Sequence, residues 1–305
     1  MSREIITLRS VPYIKPPIHD HLKRYYASIG KGVEFEYLDG SSYVLGECAE
    51  CGLIFQKEIP NPELMARLYE RWLDPEILRE LERNERGTRY ALEIASEIAN
   101  VIDFLARPPS KVAFLDFGMG WGAWCLMAKG FGCDAYGTDL SDARSNNARQ
   151  SGINVLRRDQ LAHHRFDFIN AEQVFEHLAD PHGTLIELAA ILKPGGVLRI
   201  GVPPGWDIKR RLRVWDWNAP DGSPNSLNAV APLQHINCFS FRSLVIAGRK
   251  AGLREFEPNR SMARIETPAG ALKLALKLVL RPAYRRLFPG ISEVRRQKVG
   301  TIYFQ

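Results

Sequence analysis

The stretch that most constrains the fold is residues 112–122, Val-Ala-Phe-Leu-Asp-Phe-Gly-Met-Gly-Trp-Gly. An apolar run meets an acid, Asp116, and glycines then occupy every second position, namely Gly118, Gly120 and Gly122. The apolar run predicts a buried parallel strand, and the glycines predict a turn into a helix that begins near Ala123. Glycine permits a positive φ and a close approach of a ligand to the backbone. The stretch therefore predicts an α/β sheet that binds its ligand at the carboxyl end of this strand.

Two classes of cofactor fit this turn. Gly118, Gly120 and Ala123 satisfy the loose dinucleotide pattern G-x-G-x-x-G/A, and Asp139 follows about 20 residues later. The whole string D-x-G-x-G-x-G resembles motif I of the class I S-adenosylmethionine (SAM) methyltransferases. Asp116 would repel a pyrophosphate, whereas SAM carries an ammonium and a sulfonium. The sequence favours SAM, and a NAD(P)-binding oxidoreductase is the alternative.

The resemblance covers residues 61–257 and implies a Rossmann-like fold with a mostly parallel seven-stranded sheet and helices on both faces. Asp139 ends a predicted strand, as the ribose-binding acid of motif II does in the family, although an acid after a strand is also a common helix cap. Residues 155–160 resemble motif III, whose acid meets the adenine edge. The cofactor-binding residues implied by the resemblance are Asp116, Gly118, Gly120, Gly122, Asp139, Leu140, Asp159 and Glu172.

Residues 173–181, Gln-Val-Phe-Glu-His-Leu-Ala-Asp-Pro, resemble the E-x-x-E-H-x-x-D-P segment of several methyltransferases. In some of them this segment holds a divalent cation beside the hydroxyl that is methylated. Gln173 replaces the first Glu here, and a hard cation prefers carboxylates. We therefore predict no metal. Glu176 and His177 either face the acceptor without a metal or make local contacts in a helix.

A second phrase, Gln234-His235-Ile-Asn-Cys-Phe-Ser240, resembles the H-x-N-x-F-S phrase of the same branch of methyltransferases. His235 lies in a long connection after a predicted strand, where acceptor-binding segments are common. We predict that His235 is the base or the residue that orients the acceptor, with a structural histidine as the alternative. The same connection holds Trp206, Trp215 and Trp217, which either stack on an acceptor or form a buried cluster.

Near the N-terminus, Cys48-Ala-Glu-Cys51-Gly-Leu-Ile-Phe resembles half of a zinc-binding module that precedes some sugar methyltransferases. A tetrahedral zinc needs four ligands, and no earlier C-x-x-C pair is present. His19 and His21 are the nearby candidates. The pair either binds zinc with other ligands or is a zinc-free hairpin.

The basic charge is concentrated at the C-terminal end. Residues 271–305 hold eight Lys and Arg side chains against one acid, whereas the whole chain has a net charge of +6. Within 271–288, four of these residues lie four apart on one stripe of a predicted helix. This segment fits either contact with an anionic membrane surface or a homodimer interface. The chain lacks the basic body patch and RNA motifs of a nucleic-acid-binding protein.

Three segments follow from these observations: 1–60 with the C-x-x-C hairpin, 61–260 as a SAM-dependent methyltransferase domain, and 261–305 as a basic amphipathic helical tail. We predict transfer of a methyl group from SAM to a small-molecule acceptor, with a hydroxyl of a sugar, a surface-polysaccharide precursor or a secondary metabolite favoured. Scattered cysteines and the lack of a long apolar run predict a cytoplasmic protein. Contact of the tail with the inner face of the membrane would make it a peripheral membrane protein. A catalytically silent module that binds membrane or protein is a further alternative.

Overall fold

The structure, a computed structural model, describes residues 5–85, 87–257 and 300–305. The predicted helix over 271–288, with its membrane or dimer contact, lies outside the described residues. The chain divides into two compact units. The first comprises the described parts of Met1–Gly87 together with Glu176–Ala179 and Pro203–Ser243. The second comprises Thr88–Phe175, Asp180–Val202 and the described parts of Leu244–Gln305.

The first unit is built on an antiparallel four-stranded sheet in the order β1-β2-β3-β9. Its strands are β1 (Ile5–Pro12), β2 (Ser42–Cys48), β3 (Ile54–Gln56) and β9 (Asn237–Cys238). Its helices are α1 (Ile18–Ile29), α2 (Pro62–Arg67), α3 (Pro75–Glu85) and α8 (Ile208–Val214). Asn61 caps α2, because its side chain accepts a hydrogen bond from the amide of Leu64 over 2.8 Å.

The core of the first unit draws on widely separated parts of the chain. Tyr26 on α1, Tyr43 on β2 and Trp72 are fully buried in one apolar cluster together with Leu212 and Trp217. A short hairpin such as β2–β3 cannot bury an apolar face alone, and the 203–238 segment supplies the missing contacts. The predicted boundary at residue 60 therefore differs from the structure, in which residues up to 87 and the segment 203–243 belong to the same unit.

The second unit contains a seven-stranded sheet in the order β10-β11-β8-β7-β4-β5-β6. The strands are β4 (Ala113–Phe117), β5 (Asp134–Thr138), β6 (Asn154–Val155), β7 (Phe166–Glu172), β8 (Leu192–Gly201), β10 (Glu255–Phe256) and β11 (Thr301–Phe304). The five strands β4 to β8 pair in parallel, whereas β11 is antiparallel to both of its neighbours. The predicted mostly parallel seven-stranded sheet is confirmed.

Helices pack against this sheet: α4 (Thr88–Leu105), α5 (Ala123–Gly130), α6 (Asp142–Gln150), α7 (Pro181–Ala190) and α9 (Phe241–Lys250), whose first three residues count with the first unit. The helical spacing of apolar residues in α4 places Ile94, Ile98 and Val101 in the core of the second unit. Within the three described ranges, every helix is too short or too polar to cross a lipid bilayer.

The last strand corrects the prediction of a helical tail over 261–305. Thr301–Phe304 forms β11, which lies between β8 and β10 and completes the sheet. Its residues Ile302, Tyr303 and Phe304 are buried. A four-residue apolar strand after a long basic segment carries little periodic signal, so its pairing depends on the partner strands rather than on its own pattern.

Candidate functional site

In the second unit, the glycine loop (residues 118–122) joins β4 to α5 as predicted. Gly118, Gly120 and Gly122 have φ values of 76°, 55° and 84°. A Cβ at Gly118 would lie 2.4 Å from a methyl carbon of Val174, and a Cβ at Gly122 would lie 2.5 Å from Ile153. A Cβ at Gly120 would meet no atom within 4 Å among the described residues. Gly118 and Gly122 are therefore required by packing, whereas the backbone at Gly120 borders open space.

Asp139 fixes the glycine loop to the end of β5. One oxygen of its carboxylate accepts a hydrogen bond from the amide of Gly120, and the other accepts from the amide of Ser141, both over 2.9 Å. The helix-cap alternative is wrong, because the Ser141 side chain caps α6 by accepting from the amide of Arg144. Leu140, the next residue, is 94% exposed. The apolar side chain of Leu140 therefore lies next to Asp139 and is exposed to solvent.

Asp116 is the last acid before the glycine loop and is almost fully buried, with 2% of its surface exposed. Its Oδ1 accepts a hydrogen bond from the amide nitrogen of Asn170 over 2.8 Å. Burial raises the pKa of Asp116 to about 7, the nearby charge of Glu172 adds to the rise, and the Asn170 bond and the Arg199 charge oppose it. The carboxyl therefore changes charge near neutral pH.

The two remaining acids predicted to bind the cofactor differ in their surroundings. Glu172 ends β7, and its carboxylate forms an ion pair with the buried guanidinium of Arg199. Asp159 is exposed, and its carboxylate is bound by the guanidinium of Arg157 over 2.7 Å. This geometry does not direct Asp159 to any ligand, and its contact with adenine stays a prediction.

Sequence reasoning missed Asn170 and Arg199. Both side chains are buried at the carboxyl half of adjacent strands, and Arg199 donates to Asn170 over 2.8 Å. A signal was present: Arg199 interrupts the apolar run Val197–Val202, where a charge is costly unless it is paired. The identity of its partners could not be read without the register of β7 and β8.

The residues at this end of the sheet fit SAM. The acids Asp116, Asp139 and Glu172 favour a cationic ligand, the open backbone at Gly120 gives room for close approach, and the exposed Leu140 offers an apolar surface to a base. A pyrophosphate would meet carboxylates rather than the free amides that anions need, since the Gly120 amide already donates to Asp139.

In the first unit, the structure brings together the three residues predicted to be catalytic. The ligating atoms of Glu176, His177 and His235 all lie within 4.8 Å of one another, and we name this set the Glu–His–His cluster. The His177 and His235 rings meet edge to face with centroids 4.9 Å apart, and the His177 Nε2 lies 3.8 Å from a carboxylate oxygen of Glu176. Glu176 is buried, with 1% exposed.

Both imidazoles of the cluster have their protonated nitrogen fixed by a backbone carbonyl. His177 donates from Nδ1 to the carbonyl oxygen of Gln234 over 2.9 Å, and His235 donates from Nδ1 to that of Asn228. A carbonyl oxygen can only accept, so each neutral ring has its lone pair on Nε2. Burial lowers the pKa of His235, although the bond to Asn228 and the charge of Asp221 partly oppose the change. His235 is thus a neutral base at neutral pH.

The two segments that carry the cluster are bonded to each other. Besides the His177 bond to Gln234, the side chain of Asn237 donates to the carbonyl oxygen of Leu178 over 2.7 Å. This bond explains the Asn of the H-x-N-x-F-S phrase. The final Ser240 lies before α9, and the amide of Ser243 donates to its hydroxyl.

Gln56 on β3 holds the backbone around His235 and was not predicted. Its amide nitrogen donates to the carbonyl oxygens of Ala231 and His235 over 2.9 and 3.0 Å, and its Oε1 accepts from the amide of Leu233 over 3.1 Å. Leu233 has a φ of 69°, which is rare for a residue with a branched side chain. Gln56 therefore stabilises a strained turn just before His235.

The other residues singled out from the sequence do not assemble into a site. Trp217 is buried in the core of the first unit, and Trp206 is 46% exposed. Cys48 and Cys51 carry thiols rather than a disulfide, and the structure gathers no set of three or more metal ligands around them in the part of the chain it describes. His19 stacks on Phe35, and His21 lies against Tyr25 and Trp217.

The sequence is similar to a methyltransferase family and to proteins named as methyltransferases. The sequence model of a family described as Methyltransferase domain matches residues 86–255, more than half of the chain. A ubiquinone biosynthesis O-methyltransferase from Maricaulis maris is 30% identical over 103 residues, which are 30% of this chain and 41% of that protein. Its counterpart from Brucella ovis is 29% identical over 166 residues, which are 50% of this chain and 64% of that protein. The chain thus spans less than two thirds of the length of either relative.

Solved structures of similar proteins resemble this chain only distantly. An amino pentose methyltransferase from Micromonospora echinaspora is 25% identical, with a TM-score of 0.34, and the similarity covers 41% of this chain and 55% of that chain. A likeness of this size is too low to support a conclusion about function.

Proposed function

The chain belongs to the family described as Methyltransferase domain, and on that premise we propose that it is a class I SAM-dependent enzyme that transfers the methyl group of SAM to a hydroxyl of a small molecule. The observation that carries the proposal is the bond between Asp139 and Gly120, which joins the glycine loop to the acid after β5 at the carboxyl end of the parallel sheet. Ligands of open α/β sheets bind at this end of the strands.

The residues of the second unit would hold SAM by three kinds of interaction. Asp139 accepts from the ribose hydroxyls, Leu140 packs against the adenine, and the glycine loop (Gly118, Gly120, Gly122) lets the ligand approach the backbone. The buried carboxyl of Asp116 and the carboxylate of Glu172 attract the cationic methionine part. When bound, SAM supplies a methyl group activated by its sulfonium. The protein itself mainly positions the acceptor and excludes water.

His235 is the residue that we propose for the deprotonation of the acceptor. A hydroxyl must lose its proton when it is methylated, and a neutral histidine accepts a proton near neutral pH. His235 is neutral, and its Nε2 lone pair is available because Nδ1 donates to Asn228. His177 and Glu176 orient the hydroxyl beside it. An amine acceptor that is already neutral would not need this base, which is why we favour a hydroxyl.

The Glu–His–His cluster also offers donors for a divalent cation. The imidazoles donate from Nδ1 to backbone carbonyls, as metal-ligating histidines commonly do. Gln173 nevertheless stands where related segments have a carboxylate, and its side chain donates to Glu172. We therefore assign the cluster to acid–base work on the acceptor rather than to a magnesium site.

The nature of the acceptor rests on analogy. The Maricaulis and Brucella relatives are named as O-methyltransferases of ubiquinone biosynthesis, and the sequence phrases resemble sugar methyltransferases. These similarities support a hydroxyl of a sugar precursor or of a secondary metabolite as the class to test first. A contact of residues 271–288 with an anionic membrane surface or a second copy is a further part of the proposal and rests on their charge pattern alone.

The proposal is tested by incubating the protein with methyl-labelled SAM and matched pairs of acceptors. Each pair has the same ring with either a hydroxyl or an amine, including phenol with aniline and nucleotide sugars with their amino-sugar forms. We expect label to be transferred to hydroxyls and turnover to be lost in His235→Ala. Transfer only to amines, at a rate unaffected by His235→Ala, would contradict the assignment of an oxygen acceptor.

A further inference from the structure

Three buried polar side chains stand in one row across the parallel sheet of the second unit. Asp116 on β4 is the register partner of Asn170 on β7, and Asn170 is the register partner of Arg199 on β8. The row continues to Gly137 on β5, where a Cβ would lie 2.3 Å from the sulfur of Met119 in the glycine loop. The row therefore runs directly below the glycine loop.

The direction of the Asn170 amide is fixed by Arg199. The amide oxygen of Asn170 accepts from Nη1 of Arg199, and its nitrogen donates to Oδ1 of Asp116, each over 2.8 Å. A guanidinium has only donors, so a flipped amide would place NH₂ against NH₂. With Arg199 in place, Asp116 always faces a donor. A donor stabilises the charged form of a carboxyl more than the neutral form.

Arg199 is itself held by two further contacts. Its guanidinium forms an ion pair with Glu172 and lies over the ring of Trp124, 4.5 Å from the ring centroid. Its Nε has no hydrogen-bond partner among the described residues. A buried cation that is not fully hydrogen-bonded costs stability relative to an apolar side chain. Its presence in an apolar strand is therefore not explained by packing.

We propose that Arg199 is a positioning residue of the cofactor site, which acts through Asn170 to hold the carboxyl of Asp116 in the charged form that attracts the ammonium of SAM. This inference rests on the proposed function, because it needs SAM at the glycine loop. Arg199 does not touch the cofactor in this account. Arg199 instead determines the charge of Asp116, which lies below the cofactor.

The charged and titratable groups that face Asp116 come from four elements. Glu172 on β7 and Asp139 after β5 raise its pKa, and Arg199 on β8 lowers it. The thiol of Cys125 on α5 also faces Asp116, and burial keeps this thiol neutral by raising its pKa. Loss of Arg199 removes the cation that lowers the pKa of Asp116 and frees the Asn170 amide to flip. Both changes raise the pKa of Asp116 above its value of about 7.

An ionised Asp116 attracts the ammonium, so affinity rises with pH as Asp116 loses its proton. In Arg199→Gln this rise moves to higher pH, so affinity near pH 7 falls, and it recovers at higher pH. A merely structural defect would lower affinity by the same factor at every pH.

The test is calorimetric titration of the full chain with S-adenosylhomocysteine (SAH) between pH 5.5 and 9. SAH keeps the ammonium, and 5′-methylthioadenosine, which lacks it, serves as the matched ligand. Variants are Arg199→Gln, Arg199→Lys, which keeps the charge in case Arg199→Gln does not fold, and Arg149→Gln, which removes an exposed charge from α6. The ionisation of SAH itself affects the titrations of the wild type and of all variants equally, so it cancels when their midpoints are compared.

We expect the midpoint of SAH affinity to rise by about one pH unit or more in Arg199→Gln, by less in Arg199→Lys, and not at all in Arg149→Gln. Binding of 5′-methylthioadenosine should show no such shift. Equal midpoints in the wild type and in every folded Arg199 variant would overturn the role of Arg199 and leave the proposed function intact. Failure of the wild type to bind SAH at any pH would overturn both.

Discussion

The backbone amide of Gly120 donates a hydrogen bond of 2.9 Å to the carboxylate of Asp139. The bond joins the glycine loop to the acid at the end of the adjacent strand β5, so the two halves of the proposed SAM site are held in place by one another. Because the other carboxylate oxygen accepts from Ser141, the position of Asp139 is fixed before a ligand arrives. A preorganised acid of this kind loses less freedom on binding.

Substitutions at different glycines of the glycine loop should affect either protein stability or SAH binding. Gly118→Ala forces a methyl group to within 2.4 Å of Val174, so we expect a lower melting temperature. Gly120→Ala meets open space but keeps a positive φ, at a cost of about 1–2 kcal/mol. We expect Gly120→Ala to fold and to lose affinity for SAH at least tenfold. Normal SAH affinity in a folded Gly120→Ala would place the ligand elsewhere.

His235 should act as a neutral base. Removal of a general base typically costs 10²- to 10⁴-fold in rate, so we expect a loss in this range for His235→Ala with unchanged affinity for SAH. His163→Ala, at an exposed histidine of the second unit, is the control.

The pH profile of the wild type provides a second measurement of the same role. A base works only when it is unprotonated, and burial lowers the pKa of His235 from its usual 6.5. At saturating SAM, kcat should therefore stay constant from neutral pH down to below 6.5 and fall only as the pH passes through the lowered pKa. A rate that already falls between pH 8 and 7 and depends on His235 would show that the residue is not neutral in the folded protein.

Gln56 should affect turnover through the backbone that carries His235. Gln56→Leu removes the hydrogen bonds that pair the carbonyl oxygen of His235 and the amide of Leu233, which lowers the free energy of unfolding by about 1–3 kcal/mol for each group left without a partner. We expect a lower melting temperature, a lower kcat and an unchanged affinity for SAH. Tyr13→Phe removes only a contact of 3.4 Å to the same side chain and should have a smaller effect. A Gln56→Leu protein with normal kcat would show that the turn does not depend on Gln56.

Much of the second unit could be predicted from the sequence, because its signals are local. The strand, the glycine loop and the acid Asp139 follow one another within a short stretch, and each needs little more than its neighbours. Glu176, His177 and His235 could be singled out in the same way, since the phrases that carry them are contiguous.

The parts of the fold and of the site that could not be predicted depend on contacts between distant parts of the chain. Gln56 and His235 meet because β3 pairs with β9, and Arg199 reaches Asn170 because of the register between β7 and β8. Neither pairing leaves a periodic signal in the sequence. The same holds for β11, which is only four residues long and gains its place from β8 and β10.

Metal ions should inhibit rather than activate. We expect dialysis against EDTA to leave the rate unchanged, because the Glu–His–His cluster is assigned to acid–base work. Added Zn²⁺ should inhibit, since imidazole nitrogens and a carboxylate are its usual ligands and it would occupy the Nε2 atom that accepts the proton. Glu176→Gln should bind Zn²⁺ more weakly. Loss of activity in EDTA that Mg²⁺ or Mn²⁺ restores would instead establish a metal-assisted reaction.

The most direct test of the central claim is calorimetric titration of the purified protein with SAH, with NADH as the competing ligand class and Asp139→Ala beside the wild type. Asp142→Asn, which removes an exposed acid from the first turn of α6, is the matched control. We expect micromolar binding of SAH to the wild type and to Asp142→Asn, no binding to Asp139→Ala, and no binding of NADH. Binding of NADH in place of SAH, or SAH affinity that does not depend on Asp139, would contradict the central claim.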